Sequence, residues 1–487
     1  MKIPRVMSTQ HPDNVLQPFF AKTQNMSGDD EVQEAYYCFS HLGCDEQMWD
    51  CEGKEVDDFV VRKLLTDYGH YFRDTVLGRD QFLTLRIPNP DIEREEAKVL
   101  IEALESIPRQ FDAARAFYGE DVAPIFEVIL PMTSSAASLN RIYYYYRDFV
   151  IGKQRRSFFP GDITIAEWIG AFKPERINVI PLFEDREHMI GADGIAREYL
   201  EGKDLPYLRV FLARSDPAMN YGMVSAVLCN KIALSRLRRL SEEIGVEIHP
   251  ILGAGSAPFR GHLAPGNVDN VLAEYPGVRT FTVQSAFKYD HPAPTVISAV
   301  QKLREAPVTE PPDVDEGRCL EIVDRLSTDY RRRIESLASL INRVAALVPQ
   351  RRTRKLHVGL FGYARQTGKT RLPRAIGFCA SCYSLGLPPE VIGLSALSRD
   401  DVDFVKRVNV NFEHDVRTAM RYFNRRVLDI LPGEARERLI PEWLDEGPAD
   451  REHESITSIA IEALKGNDTE RLRRLILEAA HVRRFLG

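Results

Sequence analysis

The stretch that decides the fold is Ile177-Asn178-Val179-Ile180-Pro181-Leu182-Phe183, and the acidic pair Glu184-Asp185 follows it directly. A second apolar run, 208–213, ends in the same way at Arg214-Ser215-Asp216. Short β-branched runs of this kind are typical of buried parallel strands. Because α/β enzymes bind ligands at the carboxyl ends of such strands, we expect Glu184 and Asp216 to lie at the mouth of a sheet.

Similar apolar runs recur along the chain, and segments with helical patterning separate them. The candidate strands are 6–9, 82–85, 125–130, 177–183, 208–213, 246–252, 280–283 and 356–361. Strands that alternate with helices indicate a parallel sheet, and eight strands allow that sheet to close. The predicted fold is therefore α/β, a (β/α)8 TIM-type barrel with inserted helices and a helical C-terminal region.

The remaining segments fit around this barrel. Residues 91–117 and 320–348 have helical patterns and are predicted to be insertions. We predict one catalytic (β/α)8 barrel domain over 1–487, within which 399–487 forms a helical C-terminal annex. The polar stretch Asp50-Cys51-Glu52-Gly53-Lys54 is predicted to be a loop.

Composition narrows the class of protein. The chain has 487 residues, 44% of them hydrophobic and 28% charged, as in ordinary globular proteins. Its net charge of −7 argues against nucleic acid as a partner. The sequence contains no apolar stretch near the roughly 20 residues needed to cross a bilayer, so we expect no membrane partner. The first residues lack the apolar core of a signal peptide, which predicts a cytoplasmic protein whose seven cysteines are buried or half-buried thiols.

The two strand-end acids are the candidate metal ligands. A pair of carboxylates, together with waters and a substrate phosphate, is a typical site for Mg²⁺ or Mn²⁺. The alternative is that Glu184 or Asp216 caps the helix that follows it, or pairs with Arg186 or Arg214. Spacing alone leaves both interpretations open.

Two further strand ends carry candidate catalytic residues. His11, in Ser8-Thr9-Gln10-His11-Pro12-Asp13-Asn14, could move a proton, although a surface or capping histidine is the simpler alternative. The glycine-rich stretch 253–262 could bring backbone N–H groups close to an anion, with Arg260 as a clamp. Many such stretches are only turns.

A basic group follows the last candidate strand. A solvated basic face is one interpretation, but placement at a strand end favours oxyanion binding by Arg365, Lys369, Arg371 and Arg374. Gly368-Lys369-Thr370 does not indicate a nucleotide P-loop, because five residues instead of four separate Gly362 from Gly368.

These motifs resemble those of the phosphoenolpyruvate carboxylases, in particular their short archaeal type, over essentially the whole chain. The segment 7–14 resembles the amino-terminal signature of that type, which implies a catalytic role for His11. Pro181-Leu182-Phe183-Glu184 and Ser215-Asp216-Pro217-Ala218 resemble the family's two metal-binding motifs. The resemblance therefore implies that Glu184 and Asp216 are the metal ligands.

The resemblance extends to the arginines. Arg260-Gly261 is similar to the end of the family's glycine-rich catalytic loop, which implies that Arg260 is catalytic. Because such a reaction must exclude water, we also expect the loop around Arg260 to move as a lid. The motif 372–376 implies that Arg374 binds phosphate, and Arg86 and Arg365 are looser matches to substrate-binding arginines. The chain departs from the longer enzymes at Met219, where they have lysine, and at 252–256, where they have His-Gly-Arg-Gly-Gly.

The function implied by the resemblance is carboxylation of phosphoenolpyruvate by bicarbonate to oxaloacetate and phosphate. It also implies a homotetramer, with the C-terminal region as a possible interface. Two alternatives stay open. The chain could be another phosphoenolpyruvate or pyruvate barrel, such as a lyase or phosphotransferase, or a degenerate barrel that only binds a partner.

Overall fold

A closed barrel of eight parallel strands forms the centre of the molecule. The computed structural model describes residues 2–51, 59–94, 97–353, 365–367, 370–445 and 447–487. The strands are hydrogen-bonded in chain order, and the last pairs with the first. They are β1 (Val6–Ser8), β2 (Glu46–Asp50), β3 (Phe82–Arg86), β4 (Glu127–Leu130), β5 (Asn178–Phe183), β6 (Tyr207–Ala213), β7 (Glu247–Gly253) and β8 (Thr280–Val283). The predicted (β/α)8 barrel is confirmed.

Helices connect the strands and extend beyond them. Between β1 and β8 lie α1 (Asp29–Ser40), α2 (Val60–Asp67), α3 (Gly69–Phe72), α4 (Ala97–Tyr118), α5 (Ala136–Tyr144), α6 (Ile165–Ile169), α7 (Arg186–Ile190), α8 (Ala192–Leu200), α9 (Ser215–Tyr221), α10 (Met223–Ile244) and α11 (Val268–Glu274). After β8 come α12 (Ser285–Tyr289), α13 (Ala293–Glu305) and α14 (Glu316–Ala345). The short strands β9 (Arg365–Thr367) and β10 (Thr370–Leu372) then form an antiparallel pair outside the barrel.

The C-terminal part of the described chain is helical. It contains α15 (Ala375–Ser384), α16 (Arg399–Val408), α17 (Phe412–Met420), α18 (Gly433–Arg436), α19 (Arg451–Lys465) and α20 (Thr469–Arg483). Helix α20 packs against α15 and α19. The division into one barrel domain and an annex from residue 399 stays a prediction.

The sequence-based strand assignment was wrong at one place in the barrel. The second strand is Glu46–Asp50, and its last residue, Asp50, belongs to the stretch for which the sequence predicts a loop. Its residues are all buried, but three of the five are polar, so it lacks the apolar signature of a buried strand. The predicted strand at 356–361 lies outside the described residues, and β8 closes the barrel directly onto β1.

A layer of buried charge fills the amino-terminal end of the barrel. The guanidinium of Arg209 on β6 donates to both carboxylate oxygens of Glu46, at 2.7 and 2.8 Å, and to Glu127 Oε2 at 2.9 Å. All three side chains are almost completely buried. Burial raises the pKa of the Glu127 carboxyl, although Arg209 opposes that shift. These ion pairs join β2, β4 and β6 across the barrel interior.

The barrel interior then changes from charged to apolar to polar along each strand. Alternate residues of a strand point to the same side, so one inward row includes Glu46, Met48 and Asp50 of β2. The apolar layer consists of Met7, Met48, Ile129, Ile180, Leu182, Phe211, Ala213 and Ile251. The next inward positions after Leu182 and Met48 are Glu184 and Asp50. This alternation delivers polar side chains to the carboxyl ends of the strands.

Within the described part of the chain, no single helix is long and apolar enough to cross a membrane. One bent pair, Ala375–Ser384 with Pro389–Ala396, meets the length and composition criteria when its two helices are taken together.

Candidate active site

A cavity of about 410 Å³ opens at the carboxyl ends of the barrel strands. It is lined by predicted site residues from six separate segments, namely His11, Arg86, Glu184, Asp216, Arg260 and Arg374. Arg365, the remaining predicted substrate-binding residue, lies on β9, and its side chain is outside the described set. The structure therefore brings together residues that are separated by up to 363 positions in the sequence.

The two candidate metal ligands lie at neighbouring strand ends. Glu184 directly follows β5 and is buried, and its Oε2 accepts the backbone N–H of Met132 at 2.7 Å. Asp216 lies in the first turn of α9, just after β6. The competing capping role falls on Asp185, which accepts the N–H of His188 at 3.0 Å and begins α7. The Glu184 carboxylate is therefore directed to the cavity by its place on the strand.

The segment that carries His11 rests on a buried ionic network. The hydroxyl of Thr9 lies 2.9 Å from His11 Nδ1, which fixes the plane of the ring. Below it, Lys288 Nζ donates to the Thr9 carbonyl and to Glu34 Oε1, each at 2.9 Å. Burial alone would raise the pKa of Glu34, but Arg352 and Lys288 outweigh it and hold that pKa below its usual range. The loop is thus anchored by charge-assisted hydrogen bonds.

Arg260 is buried and almost fully engaged. Its Nε donates to Ser215 Oγ at 3.0 Å, and its Nη1 donates to Asp13 Oδ2 at 3.1 Å and to the Gly487 carbonyl at 2.6 Å. Its Nη2 donates to Gln284 Oε1 at 2.5 Å. A guanidinium has five N–H groups, and the contacts to described residues use four of them, which leaves one on Nη2 for an anion in the cavity.

The glycine-rich stretch allows the Arg260 guanidinium to pack closely against its backbone. A Cβ on Gly255 would lie 2.8 Å from Arg260 Cζ, so only glycine lets the guanidinium lie against this backbone. Residues 254–263 are all buried, and movement of this loop as a lid stays a prediction. Glu390 supports the same turn by accepting the Phe259 N–H at 2.6 Å, and burial raises the pKa of Glu390 to about 7. The loop is a packed part of the core because its small residues permit close approach.

Two arginines lie on other sides of the cavity. Arg86 forms a bidentate ion pair with Asp50, at 3.0 and 2.7 Å, so part of its charge is already balanced. Arg374 precedes α15, and Ala375 and Gly377 at the beginning of this helix also line the cavity. The N–H groups at the start of a helix attract phosphate, so this side of the cavity suits a phosphoryl group.

A family model described as phosphoenolpyruvate carboxylase matches residues 3–487. The chain belongs to the phosphoenolpyruvate carboxylase family. It is 56% identical over 490 residues to the phosphoenolpyruvate carboxylase of Methanothermobacter thermautotrophicus and 48% identical over 488 residues to that of Pyrococcus abyssi, with 100% of both chains covered in each case.

Among solved structures, the family member described here is similar to the Haloferax volcanii malate synthase pyruvate/acetyl-CoA ternary complex. The identity is 12% and the TM-score 0.39, over 67% of this chain and 80% of that one. That likeness is too distant to bear on function.

Several residues around this carboxylase cavity were missed by sequence reasoning. Gln10, Asp50, Gln284, Arg351 and Arg352 all line it. Two of these residues could have been predicted from the sequence, because Gln10 and Gln284 directly follow candidate strands. The hydrogen bond from Arg260 to the Gly487 carbonyl could not have been predicted from the sequence, since it joins residues 227 positions apart.

Proposed function

We propose that the chain condenses phosphoenolpyruvate with bicarbonate to give oxaloacetate and phosphate. The observation that carries this proposal is the convergence of His11, Glu184, Asp216, Arg260 and Arg374 on one cavity of a family member that matches over its full length. The roles given to these residues below are part of the proposal. A cytoplasmic location is likewise a prediction.

A divalent cation fits the acidic side of the cavity. Enzymes of this class use such a metal, and Glu184 and Asp216 offer the hard oxygen donors that Mg²⁺ or Mn²⁺ prefers. Glu184 Oε2 receives the Met132 N–H, which orients the carboxylate. When bound there, the cation would supply Lewis-acid stabilisation of negative charge on the substrate.

The chain's own residues account for the other requirements of the reaction. Arg374 and the beginning of α15 would bind the phosphoryl group, with Arg86 and Arg365 as further candidates. Bicarbonate attacks phosphorus, which gives carboxyphosphate and the enolate of pyruvate. The remaining N–H of Arg260 would hold the carboxyphosphate beside the enolate.

His11 would complete the sequence as the proton-transfer group. With Nδ1 bonded to Thr9, its Nε2 is the nitrogen that would take the carboxyphosphate proton as the anion breaks down to CO₂ and phosphate. Carbon–carbon bond formation then requires an enolate that water has not protonated. The buried loop that carries Arg260 helps to exclude water from that side of the cavity.

The direct test is an assay coupled to malate dehydrogenase, run with and without bicarbonate. We expect oxaloacetate to form only with phosphoenolpyruvate, bicarbonate and a divalent metal together. Product formation independent of bicarbonate would favour another phosphoenolpyruvate or pyruvate lyase or a phosphotransferase. No turnover with all components present would favour a barrel that only binds a partner.

Asp216→Asn tests the metal assignment. Loss of one of two carboxylate ligands should raise the Mg²⁺ concentration needed for half-maximal rate by about 10-fold or more. A Mg²⁺ titration at saturating phosphoenolpyruvate measures this change. The control is Asp193→Asn, because Asp193 also lies in the first turn of a helix but is not among the residues that line the cavity. Equal Mg²⁺ requirements in the two variants would remove Asp216 from the site.

Gly255→Ala tests the placement of Arg260. The new methyl group would displace the guanidinium, and a shift of about 1 Å at a reacting group can cost roughly 100-fold in rate. We expect a fall of that order in kcat/KM for oxaloacetate formation. Gly266→Ala is the matched control, because a Cβ there meets no atom within 4 Å. Similar kinetics for both variants would contradict the proposed role of Gly255.

We further propose a homotetramer, in which exposed apolar residues form an interface. They are concentrated between β4 and β5, at Phe149, Phe158, Phe159, Ile163, Trp168 and Ile169. Trp168 is 66% exposed and Phe159 64%. Large exposed apolar patches mark interaction sites, so this segment is a stronger candidate interface than the C-terminal helices.

Trp168→Glu tests this interface. A charge in an apolar contact should shift the protein from tetramer to a smaller species, as measured by light scattering during size-exclusion chromatography. The comparison variant is Val410→Glu, which alters an exposed apolar residue of the C-terminal region. Dissociation by Val410→Glu alone would locate the interface in that region instead.

A further inference from the structure

A second cluster of metal-ligating side chains lies outside the cavity at the barrel mouth. It consists of His262, two residues beyond Arg260, and of His414 and Asp415 on α17. One ligand atom from each residue lies within 4.8 Å of the others. His262 Nδ1 is 2.6 Å from Asp415 Oδ1, and the two imidazole ring centres are 5.4 Å apart. We call these three residues the His262 cluster.

A neighbouring amide fixes the tautomer of His414. Asn267 Nδ2 donates to the His262 carbonyl at 2.9 Å, so the orientation of the amide is set. Its Oδ1 lies 3.0 Å from His414 Nε2 and also accepts from Asn270 at 2.6 Å. An amide oxygen only accepts, so His414 Nε2 carries the proton and Nδ1 carries the lone pair. Metal-binding histidines are typically oriented by such an acceptor on the other ring nitrogen.

We propose that His262, His414 and Asp415 bind one Zn²⁺ ion, with water as the fourth ligand. Three nitrogen or carboxylate ligands plus water form an ordinary zinc site. Two imidazoles bound to one tetrahedral ion at normal Zn–N distances place their ring centres roughly 5 Å apart, close to the observed spacing. His262 and Asp415 are buried, whereas His414 is exposed and gives the ion access from solvent.

The His262 cluster and the carboxylate pair Glu184 and Asp216 differ in the metal that they prefer. Imidazole nitrogen selects zinc over magnesium, whereas the oxygen donors of Glu184 and Asp216 suit magnesium. An ion in the His262 cluster would also cross-link the turn that carries Arg260 to α17. The proposal stands apart from the carboxylation chemistry, and its test does not depend on turnover.

The stoichiometry of zinc binding can be measured by isothermal titration calorimetry in saturating Mg²⁺, which occupies the site formed by Glu184 and Asp216. We expect the wild type to bind one more Zn²⁺ per chain than His414→Ala. His481→Ala is the matched control, because it also removes an exposed histidine from a C-terminal helix. Equal stoichiometry in His414→Ala and His481→Ala would overturn the proposal, as would a wild type that binds no zinc under these conditions.

A second variant tests the orienting amide without removing a ligand. Asn267→Ala should weaken zinc binding by about 10–100-fold and leave the stoichiometry unchanged. The visible absorption of bound Co²⁺ gives an independent readout, because a tetrahedral site with histidine ligands absorbs far more strongly than the hydrated ion. A Co²⁺ spectrum that is the same in wild type and His414→Ala would show that the cluster is only a hydrogen-bonded His–Asp pair.

Discussion

His11→Asn is expected to convert the enzyme from a producer of oxaloacetate into one that releases pyruvate and phosphate in a bicarbonate-dependent reaction. Asparagine can still bond to Thr9, but it cannot take up a proton. Attack of bicarbonate on phosphorus would therefore proceed, while breakdown of carboxyphosphate to CO₂ would be slow. Loss of a positioned proton-transfer group costs about 10²–10⁴-fold, and we expect oxaloacetate formation to fall by that amount.

The measurement compares three products in one reaction, namely phosphate, pyruvate and oxaloacetate, with and without bicarbonate. His41→Asn is the control, because His41 is exposed and its ring bonds to Ser40 on the surface of the protein. Wild-type oxaloacetate production by His11→Asn would exclude the assigned role. Loss of phosphate release together with oxaloacetate would instead place His11 in the first step.

The sequence predicted the barrel well because most strands follow one simple rule. Runs such as 177–183 are buried on both faces, so they are almost entirely apolar and end where the polar mouth begins. The same rule predicted the convergence at the cavity, since parallel strands direct their carboxyl ends to one side. Glu184 and Asp216 could be placed from this rule alone.

The failures have an equally physical cause. β2 carries Glu46 and Asp50, one facing the buried ion layer and the other pairing with Arg86 at the mouth. A strand whose inward positions are charged does not look buried in a sequence, because its stability depends on partners far along the chain. Two hydrogen bonds near the cavity also depend on partners far along the chain. Arg260 donates to the Gly487 carbonyl, and the Phe259 N–H donates to the Glu390 carboxylate.

Arg209→Met should strongly destabilise the barrel. The substitution leaves the carboxylates of Glu46 and Glu127 buried without their cation, although methionine can fill much of the space. Breaking a buried ion pair by removing one partner costs about 3–5 kcal/mol in free energy of unfolding, and here one cation serves two acids. Urea denaturation followed by circular dichroism at neutral pH measures the loss.

The controls separate lost charge from lost packing. Arg197→Met removes an arginine paired with Glu243 on the surface, where solvent screens the interaction, and should change the unfolding transition little. Adding Glu46→Gln and Glu127→Gln to Arg209→Met should recover much of the stability, because the remaining buried groups are neutral. If Arg209→Met unfolded at the same urea concentration as Arg197→Met, the ion layer would not stabilise the barrel. A failed recovery would instead assign the loss to packing.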